Sequence, residues 1–331
     1  MKKLLFVLFL MIPMGLALHA QSAAAAYPDK PVHLIVGFQP GGTTDALARV
    51  IAQKLTEKWR VPVLVETKSG SNGEIAASYV AAAKPDGYTL LVISNAHTTS
   101  PSAGGSKPKY DPIKSFSPIV KLGSGPMVLL VKNGLPVKTL PELIALTKAS
   151  PGKLSAGSSG IGTGPAVAVM MLNKSAGLDL VMVPYQGSGP SLMAVMKGEV
   201  DTIFAMASAT TAQIEQGTTR AIALTSKLPS GIDVPAAMKI PTIEEATGMK
   251  GFDLLDGWYG VIGPAGMPPD IVTIFNKAVY DILSEPEMRV KWARNGLVLD
   301  GGPQDSFLKS MMKEVNTFEA MFQNSDLKPV K

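Results

Sequence analysis

Two stretches of this sequence carry residue types that could hold an anion. One is Gly41-Gly42-Thr43-Thr44-Asp45, between an apolar run and a helical-looking segment; the other is Ser158-Ser159-Gly160-Ile161-Gly162-Thr163, with Pro165 suited to a first helical position. Glycines let backbone N–H groups approach a ligand with no Cβ in the way, and threonines add hydroxyl donors and caps. A carboxylate there meets unpaired N–H groups and the positive end of a helix dipole, worth about 0.3 to 1 kcal/mol at an exposed end and up to about 2 when partly buried. Each charge-assisted hydrogen bond adds about 1.5 to 3 kcal/mol. A few such bonds, less desolvation and closure, reach the roughly −8 kcal/mol of a micromolar binder without lysine or arginine. The plainer alternative is that each loop is an ordinary capped strand-to-helix turn, and having two of them in separate lobes weighs against it.

Other chemistries fail on spacing. "GSSGIG" resembles a nucleophile elbow, but Ile161 stands where G-x-S-x-G needs its second glycine. "GFQPGGTTD" lacks the G-K-[ST] end of a Walker loop and the G-x-G-x-x-G of a dinucleotide site, and "GIGTGP" fails the latter at Pro165. No HExxH, paired-histidine or calcium-loop spacing occurs, so neither a metal nor another cofactor is expected. Beyond the leader only His33 and His97 remain as candidate bases. His33 sits in a strand pattern and reads as structural, whereas His97 follows a strand end, where a polar side chain could face a ligand. Phe38 and Tyr185 stand beside glycine-rich loops and could cover an apolar ligand body, or simply pack at a rim. Met170, Met171, Met193 and Met196 recur at helical spacing and read as core filling, and Trp258-Tyr259 as core.

The elements that must position these loops alternate short β-rich runs with helical ones, which argues for α/β units around mostly parallel sheet. "PVHLIVGF" and "VPVLVET" read as strands, and between them Leu47, Val50, Ile51, Leu55 and Trp59 share one helical face. A helix from Gly73 stops at Pro85-Asp86-Gly87 before a strand from Thr89 to Ser94. The same grammar restarts after Gly125-Pro126 and runs through "KLSAGS", "DLVMVPY", "VDTIFAMA" and "RAIALTS" to a final strand near "WYGVIG" and terminal helices. Two lobes follow: residues 27–124 and 225–331 form lobe I, and 125–224 form lobe II, with hinge strands near Ile119 to Gly123 and Ala221 to Thr225.

Composition sets the setting. The 331 residues are 46% hydrophobic and 17% charged, enough to bury sizeable cores and too apolar for disorder. Lys2 and Lys3 precede the apolar run Leu4 to Leu18 and small residues to Ala26, the pattern of a secretory signal peptide cleaved after Ala26. The apolar run is 15 residues with Pro13 and Gly15 inside; a spanning helix needs about 20. Cleavage leaves 29 basic against 26 acidic residues, too small and scattered an excess for nucleic acid. With no cysteine, disulfides, thiolate metal sites and a cysteine lipid anchor are excluded. An exported chain of this kind belongs in the periplasm of a diderm cell.

The chain resembles the Bug family of periplasmic solute-binding proteins, the receptors of tripartite tricarboxylate transporters. The resemblance runs almost end to end, through "YPDKPVHLIVGFQPGGTTDALAR", "KPDGYTLLV", "LPELIALTKASPGKLSAGSSGIGT", "VPYQGSGPSLMAVMKGEVD" and "WYGVIGPAGMP". It implies a two-lobe type II periplasmic binding protein fold, each lobe a mixed sheet flanked by helices, joined by a two-strand hinge and closing on a small carboxylate. By position, the family's first ligand loop falls on Phe38, Gly41, Gly42, Thr43, Thr44 and Asp45. The second falls on Ser158, Ser159, Gly162 and Thr163, with Ser94 and Tyr185 nearby. Two departures bear on the ligand: Ala166 stands where the family commonly has histidine, and Ala205, followed by Met206, where it commonly has aspartate. Losing that aspartate removes an acceptor for an ammonium, so the ligand expected is a mono- or dicarboxylate without an amino group, with an apolar or aromatic body facing Phe38 and Met206.

The function implied is a monomeric, non-enzymatic receptor delivering a carboxylate to integral membrane transporter subunits. A sensor presenting its closed form to a signalling membrane protein, and an exported α/β hydrolase using Ser159 or Ser158, are the alternatives.

Overall fold

The computed structural model describes residues 27–103, 108–228 and 233–324. The expected signal peptide lies outside them.

In chain order, Val32–Val36 (β1), Thr43–Trp59 (α1), Val63–Thr67 (β2), Glu74–Ala81 (α2), Thr89–Ser94 (β3), Ala96–Ala103 (α3) and Phe116–Gly125 (β4) open the fold. Met127–Lys132 (β5), Leu140–Ala149 (α4), Ser155–Ser158 (β6), Gly164–Ala176 (α5), Val181–Pro184 (β7), Ser188–Lys197 (α6), Thr202–Met206 (β8), Ala207–Glu215 (α7) and Thr219–Leu224 (β9) follow. Ile243–Thr247 (α8), Gly257–Pro264 (β10), Pro269–Leu283 (α9), Pro286–Arg294 (α10), Val298–Leu299 (β11) and Gln304–Asn324 (α11) complete it. α1 buries Leu47, Ile51 and Leu55 on one face, as their spacing predicts. β1 and β10 are apolar runs covered on both sides, which is why they read as continuous rather than alternating.

Two sheets result. The first has six strands in the order β11-β4-β10-β3-β1-β2, the second five in the order β7-β6-β8-β5-β9. β1 lies parallel between β2 and β3, and β6 lies parallel between β7 and β8. Antiparallel strands are added beyond β3 and β8. In open sheets of this kind ligands meet the carboxyl ends of strands where neighbouring connections part. β1 and β6 are those strands, and the two anion-type loops leave their carboxyl ends.

The chain passes from the first sheet to the second at Pro126, between β4 and β5. Ile119–Gly123, expected as a hinge strand, is instead the interior of β4 and is paired with β10. The segment 225–256, which the sequence reading gave to lobe I, packs on the second sheet: Leu224 bridges Thr242, and α8 lies against α4 and β9. Phe252 and Leu255 are buried beside α5. The return to the first sheet comes with β10, at Gly257. This stretch has no strand or long-helix periodicity, so its partner cannot be read locally. Thr242 closes a capping box with Glu245 that fixes α8 in place. Of the four methionines read as core, Met193 is 49% exposed. No helix among the described residues is long and apolar enough to cross a membrane.

Candidate functional site

Three helix N-termini meet between the lobes. α1 begins after Gly42, α5 after Thr163 and α6 after Gly187, and none of these N-cap residues spends its side chain on its own helix. Their first-turn N–H groups are therefore left for another acceptor. Gly42, Thr43, Thr44 and Asp45 of the first loop, Thr163, Gly164 and Pro165 of the second, and Ser188 of α6 all line one small chamber of about 40 Å3. Phe38, Gln39, Ser94, Asn95, Ala96, Ser159 and Tyr259 complete its wall, and no lysine or arginine is among the described residues lining it.

The hydroxyls in this chamber are held by one another. Ser159 Oγ donates to Thr163 Oγ1 at 3.1 Å, and Thr163 Oγ1 donates to the Gly160 carbonyl at 2.7 Å. Burial raises the pKa of the Tyr259 hydroxyl well above the usual phenol range, against the opposing effect of its hydrogen bond with Thr43. Tyr259 thus stays a neutral donor. Asp45 pairs with Arg49 one turn along α1: Arg49 Nε donates to Oδ2 at 3.0 Å and Nη2 lies 2.9 Å from Oδ1, which is buried without a hydrogen bond of its own.

Phe38 and Ser159 also face a larger outer chamber of about 350 Å3, with Asn72, Glu74, Tyr185 and Gln186. Asn72 comes from the turn before α2 and donates its Nδ2–H to the Ile161 carbonyl of the opposite lobe. Other bonds span the same cleft. Thr99 Oγ1 donates to the Gly162 carbonyl at 3.1 Å, Thr43 Oγ1 lies 2.9 Å from Ser208 Oγ, and the Gln39 N–H points to the Gln186 carbonyl at 3.5 Å. Two glycines make these approaches feasible. A Cβ on Gly160, whose φ is +133°, would fall 2.0 Å from Asn72 Oδ1, and one on Gly189 would fall 2.5 Å from the Pro40 carbonyl oxygen.

Of the residues singled out from sequence, Phe38, Gly42, Thr43, Thr44, Asp45, Ser94, Ser159 and Thr163 come together at the inner chamber, and Tyr185 at the outer one. Gly41 faces a separate cavity of about 290 Å3 that also adjoins Gly42 and Thr43. Ser158 is buried at the end of β6, its hydroxyl without a protein partner, and Gly162 contributes its carbonyl to Thr99. Two residues sit elsewhere. Met206, at the end of β8, packs its sulfur over Gly257 and lines neither chamber. His97 is 6% exposed, stacks on Tyr110 with centroids 5.6 Å apart, and meets Phe116 edge-on. Its Nε2–H donates to the Pro112 carbonyl at 2.9 Å, and burial pushes its pKa down to about 4, so it is a neutral core imidazole. It borders a cavity of about 20 Å3 that it shares with Phe38 and Ser94. His33, read as structural, has Nδ1 2.5 Å from Glu66 Oε1.

Sequence reasoning missed Asn72, Asn95, Gln186, Ser188 and Tyr259. Ser188 had a usable signal, since "QGSGPS" repeats the glycine-then-hydroxyl pattern ahead of a helix and Gly187 has φ +122°. Asn72 had none, because its partner is 89 residues away on the other lobe.

The family model of the tripartite tricarboxylate transporter family receptor matches residues 47–327. Protein BugT of Bordetella pertussis is 31% identical over 282 residues, covering 84% of this chain and 83% of that protein. Among solved structures, R. palustris Rpa4515 with adipate aligns with a TM-score of 0.83 at 30% identity, covering 90% of this chain and 98% of the other. MatC (Rpa3494) from Rhodopseudomonas palustris with bound malate aligns with a TM-score of 0.81 at 26% identity, covering 89% and 100%. The two mixed sheets flanked by helices are the two-lobe type II periplasmic binding protein fold, and that fold is one of solute-binding proteins.

Proposed function

The chain belongs to the family of tripartite tricarboxylate transporter receptors, and on that premise we propose that it captures a small carboxylate between its lobes and delivers it to integral membrane transporter subunits. One observation carries the reading: three helix N-termini without side-chain caps line a chamber that has no basic residue among its described walls. Backbone amides, hydroxyls and helix dipoles then bind the carboxylate, and the absence of a buried lysine or arginine favours release. The relatives solved with adipate and malate support a carboxylate as the ligand class. Phe38 and Tyr185 cover the ligand body, while Thr43, Thr44, Ser94, Ser159 and Thr163 hold its charged end.

Closure follows from the ligand touching both lobes and so binding the closed form better than the open one. The lobes divide at Pro126 and Asp256, and the two passages of chain there bend as the cleft opens. Export through the signal peptide puts the mature chain, from Tyr27, in the periplasm as a monomer. Ser159 fits binding better than nucleophilic attack, since its hydroxyl donates to Thr163 and not to a base.

A thermal-shift screen over mono-, di- and tricarboxylates and aromatic acids tests this, since a ligand that binds only the folded state raises the melting temperature. Ser159→Phe and Thr44→Phe should fold and lose the shift. Retention of the full shift by both variants would remove the assigned site.

A further inference from the structure

The polar side chains of the inner chamber divide into those already bonded within the protein and those left for a ligand. We infer that the ligand carries a hydroxyl on the carbon next to its inner carboxylate, and that Asn95 is the residue that reads it. The inference rests on the reading that the inner chamber takes a carboxylate.

Thr43 bonds Ser208 and Tyr259, Ser159 donates to Thr163, Thr163 donates to the Gly160 carbonyl, and Asp45 pairs with Arg49. Gln39 Nε2 donates to Ser69 Oγ at 2.9 Å. Thr44, Ser94, Asn95 and Ser188 line the same chamber, and their side chains form no hydrogen bond with any described residue. Asn95 stands apart within this set. It is 7% exposed, and a carboxamide has both a carbonyl acceptor and an N–H donor to satisfy. Its main chain is bonded throughout: the N–H donates to the Trp258 carbonyl at 3.1 Å, and its own carbonyl accepts from the Thr98 and Thr99 N–H groups at 3.0 Å and from Thr98 Oγ1 at 2.8 Å. These bonds fix Asn95 just past the carboxyl end of β3. Its Nδ2 lies beside the first residue of α5, 3.3 Å from where a Cβ on Gly164 would stand.

A ligand carboxylate is an acceptor only. It finds donors at the uncapped N-termini of α1, α5 and α6 and at the Thr44, Ser94 and Ser188 hydroxyls. The Asn95 N–H can join them where α5 begins. The Asn95 carbonyl cannot, because two acceptors would then face each other. A plain carboxylate filling the chamber therefore leaves one buried carbonyl without a partner, a costly state for a polar group. A hydroxyl on the adjacent carbon stays close to the carboxylate, within a chamber sized for a head group, and donates to that carbonyl. An ammonium in the same place also donates, but its charge meets no free anion. Asp45 is the one acidic residue among the described residues lining the chamber and is paired with Arg49, and positions 205 and 206 are Ala and Met. The neutral carbonyl of Asn95 thus favours a hydroxyl over both a hydrogen and an ammonium.

Calorimetry with three pairs that differ by one hydroxyl tests this: malate against succinate, lactate against propionate, and mandelate against phenylacetate, each hydroxy acid as both enantiomers. In the pair that binds, the wild-type protein should hold the better hydroxy acid at least about tenfold tighter than its parent, and the matching 2-amino acid no tighter than the parent. Asn95→Leu removes the amide at similar size and should bring hydroxy acid and parent within about threefold. Asn95→Ala, which needs no extra room, should do the same, so a folding defect in one variant leaves the other to decide. A parent acid that binds as tightly as its hydroxy acid, a 2-amino acid that binds tighter than both, or a preference that the variants keep overturns the inference while leaving the carboxylate receptor standing. If none of these acids binds, the receptor reading fails and this inference falls with it. Thermal unfolding of each variant without ligand, expected near wild type because the hydrogen bonds of Asn95 to described residues run through its main chain, separates altered selectivity from misfolding.

Discussion

Thr43 Oγ1, in the first turn of α1, lies 2.9 Å from Ser208 Oγ in the first turn of α7, 165 residues along the chain and on the other lobe. Thr43 also lines the inner chamber and bonds Tyr259, so one hydroxyl links ligand site, core and lobe contact. Ser208→Ala removes the lobe contact and leaves the chamber walls intact. A neutral hydrogen bond contributes about 1 kcal/mol, so ligand affinity should fall by about fivefold while the melting temperature without ligand stays near wild type. Titration calorimetry on the ligand found by the screen checks it. An unchanged affinity would mean that this contact does not favour the closed form.

Gly160 and Asn72 give a second test of closure. Gly160→Ala puts a methyl group 2.0 Å from Asn72 Oδ1 at a φ of +133°, where side chains are strained. The clash with Asn72 can be relieved by opening the cleft, so the variant should fold, bind at least about tenfold more weakly and scatter X-rays as a more extended particle. Asn72→Ala in the same chain removes the clash but not the φ strain, and should restore part of the affinity. A double variant whose losses simply add would show that the two residues do not meet in solution.

What could be read locally was read well. Leu47, Ile51 and Leu55 repeat at helical spacing, and β1 and β6 run straight into glycine and hydroxyl residues, so strand, loop and helix start are all encoded within a few positions. What failed was non-local. Asn72 and Gln186 become site residues only because two lobes fold together, and Tyr259 reads as core because β10 is buried along its whole length. His97 misled because it lies close to the end of β3, as Ser94 and Asn95 do, but α3 begins at Ala96 and turns its ring into the Tyr110 and Phe116 cluster. The segment 225–256 misled because a strand end resembles a lobe boundary whichever sheet the next residues choose.

Burial of His97 makes stability depend on acid. Its pKa falls from 6.5 to about 4 because burial penalises the imidazolium. Between these values the unfolded chain binds a proton that the folded chain does not, so this contribution is full above pH 6.5 and lost as the pH falls towards 4. The whole loss is about 3 kcal/mol. Urea midpoints at a series of pH values should decline across that window for wild type. His97→Phe should flatten the decline, although it leaves the Pro112 carbonyl without its donor and starts from a lower stability. An equal slope in both proteins would locate the acid sensitivity elsewhere.

Glu314 works in the opposite direction and lies nearer the cleft. It sits on α11 facing Thr98 of α3, whose hydroxyl donates to it, and Trp258 Nε1 donates to the same oxygen at 2.8 Å. Burial raises its pKa from 4.5 to about 7, against the lowering effects of these two donors and of Lys121. Between pH 4.5 and about 7 the folded chain holds a proton that the unfolded chain has released, so stability is full below 4.5 and is lost as the pH rises through 7. Glu314→Gln keeps an acceptor for Thr98 and Trp258 without the ionisation, and should raise the urea midpoint at pH 8 while leaving it nearly unchanged at pH 5. The effect should reach the ligand, because Thr99, the next residue of α3, donates to the Gly162 carbonyl of the opposite lobe. Ionisation leaves a desolvated charge between α11 and α3 and so favours local opening that lets water reach it, and wild-type affinity should weaken from pH 6 to pH 8, well above the range where a carboxylic ligand titrates. Glu314→Gln should abolish that weakening; if the variant shows the same pH dependence as wild type, α3 does not carry the ionisation state of Glu314 to the cleft.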